Sequence, residues 1–207
     1  MKKPLASPRK QRNREGTIQS ILEAARAIMR EEGVAALSMQ ELARRMDMRA
    51  PSLYNYFDSK MDIYDALFRL GFTLYDAYLQ ENLKASASLQ DELRIAIETY
   101  MSFAQANPEL YQLCFERPVP GFVPSQKSLD LSLGILNRFY QRFESFKNEL
   151  DADLTSKQAV DLIIAVAHGL TAQHLANEPH LPIGQGRFGS LIPAAASMLE
   201  AFLLRKR

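Results

Sequence analysis

MRAPSLYNYF, residues 48–57, places a proline, two tyrosines and a phenylalanine inside a run of good helix formers. How this stretch folds decides the reading of the chain. At about 100° per residue, Ala50, Leu53, Tyr54 and Phe57 share one side of a helix. Pro51, Ser52, Asn55 and Tyr56 fall on the other. The first set suits packing on Leu42, Ala43 and Met46. The second is small, polar or phenolic, and suits contact with something outside the protein. Proline in the first turn loses no helical hydrogen bond and fixes the start of a very short helix.

The flanks supply partners for that element. Ile18, Ile21, Leu22, Ala25, Ile28 and Met29 recur at three- and four-residue spacing, which predicts an amphipathic helix ending at Gly33. Ser38-Met-Gln-Glu41 reads as a capping box and opens a short helix with Leu42, Ala43 and Met46 inward. Met46-Asp-Met-Arg49 makes the turn. Ser59-Lys-Met-Asp62 starts a long helix through Ile63, Leu67, Leu70 and Leu74, to about Leu83. Residues 15–57 thus hold three short helices, the last two joined by a turn of about four residues. That is the helix-turn-helix outline, whose second element enters the DNA major groove. A purely structural three-helix bundle shares the outline. The outward residues favour a nucleic acid: Ser and Asn offer hydrogen bonds to base edges, and Tyr offers a phosphate contact or packing against a thymine methyl. Lys60, beside the free N–H groups of a helix start, favours a phosphate.

Helical periodicity continues to the end of the chain. Ser88-Leu-Gln-Asp91 opens a helix to about Ala106, Asn107-Pro108 starts another, and RPVPGFVPSQ (117–126) is a loop. A helix follows from about Leu129 to Glu149. Thr155-Ser-Lys-Gln158 caps the next, to about Asn177. A second loop, EPHLPIGQGR, precedes the last helix, whose Arg-Lys-Arg end suits the negative pole of the helix dipole. No alternating strand pattern and no repeat is visible. The expected fold class is all-α, about nine helices: a basic arm (1–14), a helix-turn-helix domain (15–60) and a helical remainder (61–207).

Composition bounds the function. Residues 1–60 carry 12 Lys/Arg against 7 Asp/Glu, while 61–207 carry 13 against 17. A basic first third on an acidic remainder suggests that one end meets a polyanion; a solubilising tail is the other reading. The arm, MKKPLASPRKQRNR, has six basic residues and no acid, and reads as flexible. The single Cys114 excludes an internal disulfide and a cysteine-based zinc site, and reads as a small buried hydrophobe. No apolar run approaches a membrane span and no apolar stretch follows the basic N-terminus, so a cytoplasmic protein without a membrane partner is expected. His168, His174 and His180 do not share a face and make no metal site. No nucleophile–base set or Gly-rich phosphate loop appears. We therefore expect no metal, no cofactor and no enzyme.

Residues 17–64 resemble the DNA-binding domain of the tetracycline-repressor (TetR) family. The residues that carry the likeness are Ala24-Ala25, Gly33, Ser38, Leu42-Ala43, Leu53-Tyr54-Asn55-Tyr56-Phe57 and Ser59-Lys60. The chain departs from the pattern at Asp47, where Gly is usual, at Arg49, usually a Ser or Thr cap, and at Tyr56, often His. Asp tolerates a left-handed conformation, Arg49 gives up a neutral cap but adds a cation, and Tyr56 keeps a phosphate donor. The resemblance implies that Ser38, Tyr56 and Lys60 bind phosphate and that Gln40, Arg49, Ala50, Pro51, Ser52 and Asn55 face base edges. Tyr54 stays open: the family allows a DNA contact, and the helical wheel turns it partly inward. The arm can add minor-groove or phosphate contacts.

In that family the remainder binds a small effector and dimerises. YMSFAQANPELYQLCF (100–115) with AVAHGLTAQHL (165–175) resembles a subgroup with a Trp-His-Gly signature, with Ala167 in the Trp position. His168 is either a satisfied core histidine or a polar anchor in an apolar pocket. Tyr100, Phe103, Leu113, Phe115, Phe139 and Phe143 supply core or the wall of a pocket for a hydrophobic ligand. Val160 and Ile164 in one helix, with Leu191, Ala195, Met198, Leu199 and Phe202 in and beside the last, are expected to form a two-fold, four-helix interface. A buried helix pair within a monomer is the alternative. The expected protein is a homodimeric, effector-controlled transcriptional regulator on a palindromic operator, a repressor as is usual in the family. The rivals are a small-molecule-binding helical protein with a vestigial or structural head, and an enzyme.

Overall fold

A computed structural model of the chain describes residues 8–83, 88–144, 146 and 154–204. In chain order the helices are α1 Pro8–Glu32, α2 Met39–Arg45, α3 Ala50–Leu53, α4 Lys60–Asn82, α5 Leu89–Ala106, α6 Pro108–Tyr111, α7 Gln126–Glu144, α8 Ser156–Asn177, α9 Gly186–Gly189 and α10 Ile192–Leu203. A 3₁₀ turn, Val34–Ala36, follows α1, and a π-type turn, Gln112–Glu116, extends α6. The described residues contain no strand, so the chain is all-α. It divides into two compact units, Met1–Gly71 with Glu109–Ser128, and Phe72–Pro108 with Leu129–Arg207.

The first unit forms around the apolar stripe of α1. Ile21, Leu22, Ala25, Ile28 and Met29 are buried, together with Leu42, Ala43, Leu53, Ile63, Tyr64 and Leu67 of the other helices. Burying each large aliphatic side chain contributes about 1.5–3 kcal/mol. Gly33 ends α1 at φ 96°, a backbone region that side chains with a Cβ rarely adopt. The buried Tyr64 hydroxyl donates to the Val34 carbonyl at 2.7 Å, which pins α4 to the turn after α1. Segment 109–128 packs into the same unit. The Glu109 carboxylate, almost fully buried, accepts from Arg26 at 2.6 Å and Arg30 at 3.0 Å. Phe122 lies 5.7 Å from the Tyr64 ring. At Gly71 an added Cβ would sit 2.5 Å from the Cys114 sulfur, so glycine permits that close approach. Cys114 is buried, as expected of a small hydrophobe, and burial pushes its thiol pKa well up.

One boundary moves. α1 begins at Pro8, so residues 8–14, expected as part of a flexible arm, form its first turns. Proline is suited to a first turn, and Arg9–Arg14 holds no helix breaker. The rest of that arm, residues 1–7, lies outside the described residues, as does most of the stretch expected to finish α7 toward Glu149.

In the second unit α5 packs against both α8 and α10. Ser88 caps α5 by accepting the Asp91 N–H at 3.1 Å, and Thr155 with Gln158 forms a complete capping box at α8. Leu93, Ile97, Tyr100, Phe103, Val160, Ile163, Ala196 and Leu199 are buried here. By length and composition alone, α8 could cross a membrane, which the sequence reading did not anticipate. A core helix meets the same test; α8 buries Ala159, Val160, Ile163, Ala167, Thr171 and His174 within the protein.

Candidate nucleic-acid interface

The helix-turn-helix in the first unit is built by short-range bonds. Ser38 caps α2 by accepting the Glu41 N–H at 3.2 Å. The Glu41 carboxylate turns instead to Arg44 and Arg45, and Arg45 also donates to Glu31 and Glu32 at the end of α1. These guanidinium groups hold the Glu41 pKa down to about 2. Between α2 and α3, the Met48 N–H donates to the Ala43 carbonyl at 2.9 Å, and Asp47 takes φ 50°. The left-handed conformation expected of Asp47 is therefore present. Arg49 precedes α3 without a side-chain cap, as its replacement of Ser or Thr implied.

α3 is shorter than the wheel assumed. It stops at Leu53, and Asn55 and Tyr56 donate to Ser52 and Leu53, three residues back. Tyr54, at φ −67° and ψ −9°, closes the helix as its C-cap. The steady 100° step therefore fails after Leu53, and the wheel misplaces Tyr54. It points outward, 51% exposed, whereas Leu53 is fully buried. Tyr56, expected outward, is half-buried, with the Arg14 guanidinium over its ring at 5.6 Å. Gln40, Arg49, Pro51, Asn55 and Lys60 are exposed; Ser38, Ala50 and Ser52 are half-buried. All ten candidate DNA residues belong to this one unit.

Sequence reasoning read the start of α1 as an arm and missed its packing against the end of the recognition turn. Lys10, Asn13, Arg14 and Thr17 line a cleft with Asn55 and Tyr56. Arg14 also donates to the Asn55 carbonyl at 3.2 Å. The basic run was legible, but nothing local signals a partner 41 residues away.

The candidate effector residues divide between the two units. Leu113 and Phe115 belong to the first unit; Tyr100, Phe103, Phe139, Phe143 and His168 belong to the second. There, Tyr100, Phe103 and Phe143 are buried. Tyr75 packs on Tyr100 and Phe103, and the Tyr100 hydroxyl meets His168 Nδ1 at 3.0 Å. Phe139 lines a separate open cleft between α4 and α7, with Leu79, Leu83 and Ile135 as its apolar wall and Arg138 and Arg142 beside them. Those two arginines pair with Asp76 and Glu92.

The candidate dimer residues separate by exposure. Val160, Ala195 and Leu199 are buried within the chain, while Ile164, Leu191, Met198 and Phe202 are 40–57% exposed. These four are large apolar side chains left without cover on or beside α8 and α10.

An all-α chain whose first unit presents a capped helix, a tight turn and a short outward-facing element is a helix-turn-helix protein. Residues 21–67 match the family described as bacterial regulatory proteins, tetR family, and this segment carries that family's helix-turn-helix. It is 28% identical over 96 residues to the HTH-type transcriptional activator FasR of Mycolicibacterium smegmatis, a match covering 46% of this chain and 44% of that protein. The chain spans about half the length of the curated relatives it matches. Its fold is similar to that of the transcriptional regulator FadR from Bacillus subtilis, solved in complex with stearoyl-CoA. There the TM-score is 0.71 at 18% identity, covering 89% of this chain and 98% of that one. It is also similar to AibR, solved with isovaleryl coenzyme A and operator DNA, with a TM-score of 0.64 at 15% identity, covering 92% and 99%.

Proposed function

We propose that this protein is a ligand-responsive transcriptional regulator that binds a palindromic operator as a homodimer in the cytoplasm. The observation that carries the reading is the head itself. A buried Leu53 anchors an element whose neighbours Pro51, Tyr54 and Asn55, with Arg49 and Lys60, stand exposed beside the basic start of α1. In this reading residues 1–60 meet DNA, and residues 61–207 bind the effector and dimerise. The regulatory names of the relatives support this role over an enzymatic one.

The effector is small and hydrophobic. Two supports bear on its class. The aromatic cluster of Tyr75, Tyr78, Tyr100 and Phe103 with His168 is a largely buried apolar group with one polar pair, the residue make-up that a small-molecule site uses. FadR and AibR were both solved with coenzyme A thioesters, so acyl thioesters are the first ligands to test. An effector acts only through its differing affinity for two states of the protein. Repression is the sense we propose, with the effector releasing DNA.

The test is a gel shift on DNA retained by the protein from random duplexes. Lys60→Ala with Tyr56→Phe is expected to weaken binding, and the wild-type affinity is expected to fall steeply with added salt, because phosphate contacts release counterions. A flat salt response would instead favour an effector-binding helical protein whose head is structural.

A further inference from the structure

The cleft between α4 and α7 is apolar within and polar at its edge. Leu79 and Ile135 are buried in its wall, beside Leu83 and Phe139, while Arg138 stands exposed. Its volume is about 200 Å³. An apolar cavity of about 150 Å³ holds one benzene ring, so this one has room for roughly eight heavy atoms. That is a short aliphatic chain with a small head.

The polar edge decides the head. Arg142 turns to the buried Glu92 and reaches the Leu83 carbonyl at 3.5 Å. Arg138 donates through Nη2 to Asp76, whose other carboxylate oxygen accepts from the Gln80 amide at 2.9 Å. Among the described residues, two guanidinium groups at this edge are thus matched by two carboxylates. The planar fork of Arg138 has N–H groups beyond the one that Asp76 takes. An edge of this kind donates hydrogen bonds and carries no net charge. A carboxylate head would lie beside Asp76, and an ammonium head would meet the Arg138 cation; like charges at such range repel. An uncharged acceptor meets neither conflict.

We propose that this cleft binds an uncharged acyl group of about six to eight carbons, an ester, thioester or amide. Its carbonyl accepts from Arg138 and its chain lies along Leu79, Leu83 and Phe139. Asp76 is the specificity-determining residue: its charge turns away the free acid. The site shares no lining residue with the buried cluster around Tyr100 and His168, and it stands whether or not an effector binds there.

Titration calorimetry of the full chain with methyl octanoate, octanoate and octylammonium tests the assignment. Methyl octanoate is expected to bind once per chain, about tenfold more tightly than either charged probe. Arg138→Met keeps an apolar stem without the donors and is expected to weaken methyl octanoate about tenfold. Leu83→Trp, at a half-buried position of the wall, is expected to fill the cleft and abolish binding. Asp76→Asn keeps the shape and removes the charge, so octanoate is expected to gain about tenfold while methyl octanoate changes by less than about twofold. A wild-type chain that takes up no methyl octanoate overturns the inference. So does an Arg138→Met or Leu83→Trp chain that binds it as wild type does, or an Asp76→Asn chain with an unchanged preference for the ester. Unfolding midpoints are recorded alongside; Arg138 is exposed, so its variant keeps the test decisive if Leu83→Trp unfolds.

Discussion

Tyr54 and Tyr56 stand two residues apart in different surroundings. Tyr54 is half in solvent, and Tyr56 lies against Arg14. Tyr54→Ala is therefore expected to change folding stability by less than about 0.5 kcal/mol while lowering operator affinity. Leu53→Ala, next to it but fully buried, is expected to cost about 2–5 kcal/mol. Denaturant unfolding of the two variants checks both; equal losses would put Tyr54 back in the core. At this scale the sequence was legible where the determinant is local. Asp47 was read as able to turn left-handed, and it sits at φ 50°. Tyr54 stayed open because its direction depends on where the helix stops, and a wheel has no term for that; it stands exposed.

Caps made the elements easy to find, and long-range ion pairs made their junctions hard to see. Ser38, Ser88 and Thr155 each hold the N–H three residues on, a relation visible in four letters. Arg45 instead joins Glu41 to Glu31 and Glu32, tying α2 to the end of α1 across 13 and 14 residues. This cluster predicts a pH dependence. The Glu41 carboxyl titrates near 2 in the folded protein against an ordinary 4.5, lowered mainly by its hydrogen bonds to Arg44 and Arg45. A depressed folded value stabilises above the ordinary pKa and stops doing so as pH falls through the folded one. Stability is expected to decline between about 4.5 and 2, and Glu41→Gln is expected to flatten that part of the curve. Thermal unfolding at stepped pH measures it. A wild-type and variant with parallel curves would show that the cluster contributes nothing on folding.

Across the whole molecule, the helical class was readable because periodicity repeats over every element, whereas the return of segment 109–128 to the first unit was not, since the expected boundary at 60/61 assumed two consecutive stretches. The effector residues were not, because apolar bulk alone does not separate core from pocket: Phe103 is fully buried, and Phe139 borders a cleft. For the dimer, the chosen helices α8 and α10 do leave Ile164, Leu191, Met198 and Phe202 exposed. Exposed apolar side chains on two neighbouring helices suit an interaction surface where they run together. Ile164→Glu with Met198→Glu is expected to give a folded monomer in sedimentation, with about half the wild-type salt slope on DNA. An unchanged oligomeric state would remove this face from consideration. The shortness of α3 gives that pairing a further meaning. A four-residue helix and its turn can spell out only a short word of DNA, and short words recur by chance throughout a genome. One head alone would be lost among decoys; two heads at a fixed spacing make an address long enough to be rare.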